Sequence, residues 1–171
     1  MATEEQLAIR AVKGDEQAFL QLMGMYKMDL YKTALAYMKN KEEAIEAIQE
    51  ITYRAYKNVK KVKEPTYFKT WLIRIMINYC NDQLKMKSRV VLNEEMIHLQ
   101  GVTDSLDALE MEEALESLDS RSREIITMKY FNGLKIKEIA AVLECPEGTV
   151  KTWLYKALES LRNKLDEKGG K

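Results

Sequence analysis

Few side chains in this chain of 171 residues could carry out acid–base, nucleophilic or metal chemistry. The only histidine is His98, so a His-based catalytic triad would have to use it, and a His-rich metal site is excluded. Cys80 and Cys145 lie far apart and form no CxxC pair, which suits a reducing cytoplasm. No nucleophile–base pair, glycine-rich phosphate loop or metal-binding cluster is recognisable. The sequence therefore indicates neither an enzyme nor a cofactor.

Basic and aromatic side chains are concentrated in residues 53–89. This segment holds ten Lys or Arg residues against two acidic ones, and six of the fourteen aromatic residues. Basic groups attract a phosphate backbone, and aromatic faces stack on unpaired bases for about 1–3 kcal/mol each. Core packing is the ordinary role of a single aromatic residue. Trp71, however, shares a predicted helix face with Arg74 and Asn78, away from the aliphatic positions, and this favours contact with a partner.

The net charge of zero conceals a basic–acidic–basic order along the chain. Residues 1–89 carry a net charge of +5, residues 90–119 carry −9 without any Lys or Arg, and residues 120–171 carry +4. This order suggests two modules that face a polyanion, joined by an acidic connector. Chance clustering of charges on solvated helix faces is the alternative.

Helices must position these groups, because seven Gly and two Pro leave little material for β-turns. The longest apolar runs are too short to span a membrane, and residues 1–13 lack the apolar stretch of a secretory signal. Asp15, Asn40 and Thr66 are the expected N-caps of the first three helices. Apolar spacing predicts helices over about 15–38, 41–57, 67–85, 106–118, 120–132, 134–143 and 147–166.

The last two predicted helices, separated by three residues, form a helix-turn-helix pattern. Pro146 is expected at the first position of the last helix. Such a helix can place its first residues against base edges in the DNA major groove. A plain helical hairpin with solvated lysines is the alternative. The predicted core stripe of the last helix is Val150, Leu154, Leu158, Leu161 and Leu165.

Four segments together resemble the extracytoplasmic-function sigma factors, the smallest group of bacterial RNA polymerase specificity subunits. The segments are KGDEQAF (13–19), EAIEAIQE (43–50), FKTWLIRI (68–75) with Asn78 and Asp82, and KEIA (137–140) followed by EGTVK (147–151). The resemblance implies an all-α fold of two small helical domains joined by a flexible acidic linker. The first is a region 2 bundle over residues 1–87, the linker covers 88–104, and the region 4 helix-turn-helix covers 105–168.

The resemblance also implies partners: the polymerase core through its β′ clamp and β subunits, promoter DNA, and an anti-sigma factor, all in the cytoplasm without membrane insertion. The residues expected to bind the core are Glu43, Glu46, Gln49 and Glu50. Those expected to bind and open the −10 element are Lys60, Lys61, Lys63, Tyr67, Lys69, Trp71, Arg74 and Asn78. Those expected to read the −35 element are Glu147, Thr149, Lys151, Thr152, Tyr155 and Lys156.

Three departures from the family pattern stand out. Ile45 and Ala47 make the clamp-binding segment less acidic than usual, and Glu144 replaces a common turn glycine, which predicts a different or strained turn. Trp153 stands where many members carry Arg and is expected to pack at the domain edge. From the residues alone, a stand-alone helix-turn-helix regulator and a helical protein-interaction module remain the alternatives.

The acidic linker generates a first prediction. Residues 86–104 can span about 65 Å if extended, and promoter elements one to two DNA turns apart require about 35–70 Å. By resemblance, the acidic part threads the basic channel that later carries RNA. Reversing the charges of Glu94, Glu95, Asp104 and Asp107 should therefore alter initiation or promoter escape, measured as transcript yield and transcript length. An unchanged yield and length distribution would contradict this role.

Overall fold

The computed structural model describes residues 2–91 and 113–169, and the chain divides into two compact units, Met1–Glu94 and Glu95–Lys171. All regular structure in the described residues is helical, and the predicted all-α class is confirmed. Several predictions fall outside the described residues: most of the linker, the greater part of the helix expected over 106–118, His98, and the four acidic residues of the linker experiment.

In unit 1 (Met1–Glu94), the described residues 2–91 form four helices and two short 3₁₀ turns. The helices are α1 (Glu4–Val12), α2 (Glu16–Met38), α3 (Lys41–Asn58) and α4 (Phe68–Val91), and the turns are Val59–Lys61 and Pro65–Tyr67. Helix α1 was not predicted. Its signal is the capping box in which Thr3 and Gln6 bond reciprocally to each other's backbone N–H.

The predicted N-caps of α2 and α3 are confirmed, whereas the prediction that Thr66 caps the next helix is wrong. The Asp15 carboxylate accepts from the N–H of Ala18 at 3.1 Å, and the Asn40 side chain accepts from the N–H of Glu43 at 2.9 Å. Thr66 does not cap α4. Glu64 instead accepts from the backbone N–H of Thr66 at 3.4 Å and from its hydroxyl at 3.0 Å, because a 3₁₀ turn that begins at Pro65 precedes the helix and has Glu64 as its cap. Helix α4 also continues to Val91, beyond the predicted end near residue 85.

The core of unit 1 lies between α2, α3 and α4. Helix α3 turns an inner face of small side chains towards it, including Ala44, Ala47 and Ala55, which are fully buried. Cys80 is buried as a small apolar residue, as predicted. The largest buried side chains of this unit are Phe19, Leu22, Leu30, Ile51, Phe68, Leu72, Ile73, Met76 and Ile77. Their burial fixes which sides of α3 and α4 are left for partners.

Unit 2 (Glu95–Lys171) is described from residue 113, with residues 113–116 helical. It continues as α5 (Ser120–Ile126), a π-helical turn (Thr127–Phe131), α6 (Ile136–Leu143) and α7 (Glu147–Gly169). The predicted stripe of α7 is partly wrong: Leu158 is 37% exposed and Leu165 is only partly buried. Because 3.6 residues make one turn, the inward position after Leu154 falls on Ala157. The core residues of α5–α7 and the π turn include Ile125, Met128, Ile139, Val150, Leu154, Ala157 and Leu161.

The turn between α6 and α7 has the strained geometry expected at Glu144. This residue ends α6 in the left-handed conformation (φ 55°, ψ 48°), and the next N–H, of Cys145, donates to the carbonyl of Ala140 at 3.1 Å. Pro146 precedes α7 rather than opening it, and its carbonyl accepts from the N–H of Thr149 at 3.0 Å. These bonds set the direction in which α7 leaves the turn.

The left-handed conformation at Glu144 leads to a stability prediction. Glu144→Gly should raise the free energy of unfolding of unit 2 by about 0.5–1 kcal/mol, because only glycine adopts this φ without strain. Urea unfolding of the full chain in a Trp71→Phe background makes Trp153 the reporter for this unit. Glu144→Ala is the control, since it removes the carboxylate but keeps the strain. An equal gain in the Ala variant would show that the side chain, not the backbone, is the cause.

Candidate nucleic-acid and partner interfaces

The outer surface of α3 carries the four residues expected to bind polymerase, which we call the clamp face (Glu43, Glu46, Gln49, Glu50). Glu46 and Gln49 are exposed. Glu43 and Glu50 are partly buried and already ion-paired: Lys87 of α4 lies 2.5 Å from the Glu43 carboxylate, and Arg54 Nε lies 2.9 Å from Glu50. Within the part of the chain that the structure describes, the clamp face therefore presents one exposed carboxylate without an ion pair, at Glu46, and two carboxylates held by cations of the chain itself.

An apolar groove that was not predicted from the sequence runs beside the clamp face. The groove has a volume of about 680 Å³ and lies between α2 and α3. Ile45, one of the departures from the family pattern, lines it and is 51% exposed, whereas Ala47 is a buried core residue. Exposed apolar side chains outside the core spacing, Met28 and Ile45, were the available signal. The lining residues are Gly24, Lys27, Met28, Tyr31, Ile45, Ile48 and Gln49.

The basic loop, residues 59–63, connects α3 with the turn before α4. Val59 and Val62 are buried and anchor it, so Lys60, Lys61 and Lys63 extend from a fixed backbone and are exposed. The aliphatic end of Lys60 lies against Gly14, where a Cβ would come 3.4 Å from its Cε. Gly14 also has φ +106°, so the α1–α2 turn beside this loop requires glycine.

The α4 face beyond this loop brings three predicted DNA-binding residues together. Trp71, Arg74 and Asn78 follow one another at steps of three and four residues, with Trp71 and Arg74 partly exposed and Asn78 exposed. The Trp71 ring rests against Phe68, whose centroid is 5.5 Å away, so the indole is supported from inside the core. Tyr67, at the end of the preceding 3₁₀ turn, is partly exposed as well.

Lys69 does not share this face. Two residues before Trp71 on a helix, its side chain points to nearly the opposite side. There its Nζ lies 3.4 Å from Asp29 and 6.0 Å from the centre of the Tyr26 ring, both on α2. The structure therefore gives Lys69 a tie between α2 and α4 besides any contact with DNA.

Three tyrosine hydroxyls of unit 1, those of Tyr26, Tyr56 and Tyr79, have a raised pKa. Burial and a hydrogen bond to Glu4 raise the pKa of Tyr26, and the Glu16 carboxylate 3.0 Å from Tyr56 raises the pKa of that phenol. Burial likewise raises the pKa of Tyr79, over whose ring Arg54 lies at 5.1 Å. The Tyr26 and Tyr56 hydroxyls donate to these carboxylates, and none of the three phenols acts as a base at neutral pH.

The outer surface of α7 presents the residues expected to read duplex DNA. Five of the six are exposed, and Thr149 is partly buried near the start of the helix. Tyr155 is 71% exposed. The Thr152 hydroxyl donates to the carbonyl of Gly148 at 3.0 Å, which leaves its oxygen free to accept. All six lie away from the buried stripe that holds α7 against α5 and α6.

Trp153 packs at the edge of unit 2 and is partly buried. The guanidinium of Arg121, from the first turn of α5, lies over the indole with its Cζ 4.5 Å from the ring centroid. The packing of Trp153 at the domain edge was predicted from the family pattern, whereas no signal in the sequence pointed to Arg121.

The described residues contain no group of three or more His, Cys, Asp or Glu side chains that could hold a metal ion. None of the described helices combines the length and apolar character needed to cross a bilayer.

Together, the basic, aromatic face of one helical unit and the helix-turn-helix of the other are typical of a nucleic-acid-binding protein. Sigma-70 region 2 matches residues 22–90, and Sigma-70 region 4 matches residues 108–161. The chain is 33% identical over 143 residues to RNA polymerase sigma factor SigV of Bacillus subtilis (82% of this chain, 86% of the relative). It is 31% identical over 171 residues to ECF RNA polymerase sigma factor SigW of the same organism (90% and 91%).

Solved structures agree with the fold. CnrH, in complex with the cytosolic domain of CnrY, has a TM-score of 0.70 at 24% identity, over 96% of this chain and 97% of that one. The sigma factor RpoE of Bartonella quintana, in complex with the anti-sigma factor NepR, has a TM-score of 0.66 at 23% identity, over 86% and 96%.

The chain belongs to the extracytoplasmic-function sigma factors of bacterial RNA polymerase. It binds the polymerase core, recognises the −35 and −10 promoter elements and helps to melt DNA when transcription starts. This assignment decides against a stand-alone regulator and against a helical interaction module.

Proposed function

We propose that unit 1 opens and holds the −10 element, that unit 2 reads the −35 element, and that the clamp face docks on the β′ clamp, with domain limits at 1–87 and 105–168. The observation that carries this division is the exposure pattern. Of the eighteen residues assigned to the three interfaces, none is fully buried, although fourteen of them lie on helices whose other sides form the cores. The chain then acts as a binding factor rather than an enzyme, and in the cytoplasm with the polymerase.

The −35 reading depends on α7. Glu147, at its first position, can accept from the exocyclic amine of a cytosine, and Lys151 and Lys156 can approach guanine edges or phosphates. Tyr155 adds a large exposed ring to the same surface. Base edges of an intact duplex carry this readout, so it requires no unpairing.

The −10 reading requires a different chemistry, because bases must leave the stack. The basic loop holds the backbone electrostatically, and the Trp71 indole, supported by Phe68, offers a fixed face to an unstacked base or an open end of the duplex. Arg74 and Asn78 lie further along that face as hydrogen-bond donors. Extrusion of a base costs a few kcal/mol, which these contacts offset.

An anti-sigma factor is the remaining proposed partner. The structural neighbour RpoE was solved with the anti-sigma factor NepR, and CnrH was solved with the cytosolic domain of CnrY. A segment that covers the clamp face and the DNA-facing surfaces would keep this chain from the polymerase.

The clamp face generates a prediction that separates its residues. Glu46→Lys should weaken binding to core polymerase at least tenfold, because it places a like charge before a basic partner surface. Glu43→Gln and Glu50→Gln should weaken it less, since Lys87 and Arg54 already screen those carboxylates. Equilibrium binding of labelled protein to core measures both effects, with Glu5→Lys, an exposed position of α1, as the matched control. Equal affinities of the Glu46 and Glu5 variants would rule out this docking surface.

Trp71 generates a prediction about melting. Trp71→Ala should impair strand opening more than recruitment, because the indole acts on unstacked bases while the lysines act on phosphates. Holoenzyme is mixed with a promoter fragment, and permanganate reactivity is compared with retention of the complex. Trp71→Phe, which keeps an aromatic face, should retain most of the melting. Equal loss of melting and retention in the Ala variant is the result that contradicts this role.

A further inference from the structure

Arg121 and Trp153 form a composite surface feature from two helices. Arg121 lies in the first turn of α5 and Trp153 in the second turn of α7, and the guanidinium covers the indole at 4.5 Å. Stacking on an aromatic face restricts an otherwise mobile side chain and leaves the guanidinium N–H groups pointing outward at the edges of the plane. The Arg121 side chain is 45% exposed, so those edges reach solvent.

The acidic side chains near Arg121 leave hydrogen-bond donors of its guanidinium available. Among the described residues its ion pair is with Glu124, where Nη1 lies 3.9 Å from Oε2, too far for a hydrogen bond. Glu124 is nearly buried, so the positive end of the pair faces outward. The nearby Asp119 carboxylate accepts from the N–H of Ser122 at 2.7 Å as the α5 cap. Arg121 therefore retains donors for an external acceptor.

The position of this pair relates it to the DNA-facing surface of α7. Trp153 lies four residues after Thr149 and three before Lys156, so the three share one flank of the helix. The guanidinium over Trp153 consequently stands beside that flank rather than behind it. A DNA strand bordering the groove occupied by α7 passes at such a flank, where phosphates are the groups met.

We propose that Arg121, held on the Trp153 indole, is a phosphate-binding residue that clamps the DNA backbone beside the −35 recognition helix. The inference rests on the proposed reading of the −35 element by α7. The planar guanidinium suits a bidentate phosphate contact, and the indole fixes it before DNA arrives. Arg121 thereby sets the position of α7 without reading a base.

The test measures the salt dependence of promoter binding by reconstituted holoenzyme. The DNA is a promoter fragment selected from random duplexes by the unaltered holoenzyme. Arg121→Gln should reduce the slope of log affinity against log salt concentration by about 0.9, the value for one lost phosphate contact. It should weaken binding by the same factor on fragments whose −35 bases are changed. Arg121→Lys should restore the slope but only part of the affinity, because an ammonium cannot form the bidentate contact.

Two matched variants keep the outcomes separate. Arg162→Gln removes an exposed arginine further along α7 and should leave the slope unchanged. Lys156→Gln tests the proposed function itself. If the salt slope falls for Lys156→Gln but not for Arg121→Gln, only the proposed role of Arg121 is overturned. If the slope is unchanged for both variants, the proposed orientation of α7 on DNA is overturned as well.

A second measurement does not require the Gln variant to fold. The unaltered holoenzyme is tested on fragments in which single phosphates near the −35 element are replaced by neutral methylphosphonates. At one phosphate, the neutral replacement should weaken DNA binding by the unaltered holoenzyme more than it weakens DNA binding by the Arg121→Lys holoenzyme. Indistinguishable effects at every phosphate would overturn the proposal.

Weaker binding of Arg121→Gln to core polymerase, with the salt slope of its DNA binding unchanged, would assign Arg121 to a protein contact and would also overturn the proposal.

Discussion

The small inner face of α3 is the constraint on which the surface of unit 1 depends. Because Ala44, Ala47 and Ala55 are fully buried, only one rotation of α3 about its axis fits against α2 and α4. That rotation turns Glu46 and Gln49 outward. A larger side chain at any of the three alanines would have to displace a neighbouring helix, and the proposed polymerase-binding surface would be lost through packing rather than through charge.

In unit 2, too, core packing decides which surface is exposed, and the turn between α6 and α7 is a second determinant. Val150, Leu154, Ala157 and Leu161 fix the rotation of α7, while the left-handed residue Glu144 fixes where the helix starts. Strain at one residue is tolerated because the surrounding hydrogen bonds and core determine the turn. The two determinants together direct the first residues of α7 outward, where base edges can be met.

Sequence patterns predicted the features that depend on neighbouring residues. The caps at Asp15 and Asn40, the buried Cys80 and the outward faces of α3, α4 and α7 follow from local spacing. Contacts between distant positions could not be predicted in this way: Lys87 pairs with Glu43 forty-four residues away, and Arg121 reaches Trp153 from another helix. The errors at Thr66 and Leu158 arose where a proline-led turn or a fractional helix period shifted a position.

The ion pair between Lys87 and Glu43 also affects how a partner meets this chain. A carboxylate on a bare helix surface samples several rotamers, and binding must restrict them at the expense of affinity. Folding has already restricted Glu43, because Lys87 holds it from the neighbouring helix. A partner cation that binds the Glu43 carboxylate would replace the ammonium group of Lys87. Under the proposed docking, association at Glu43 would therefore replace one cation by another, with little net change in the order of the surface.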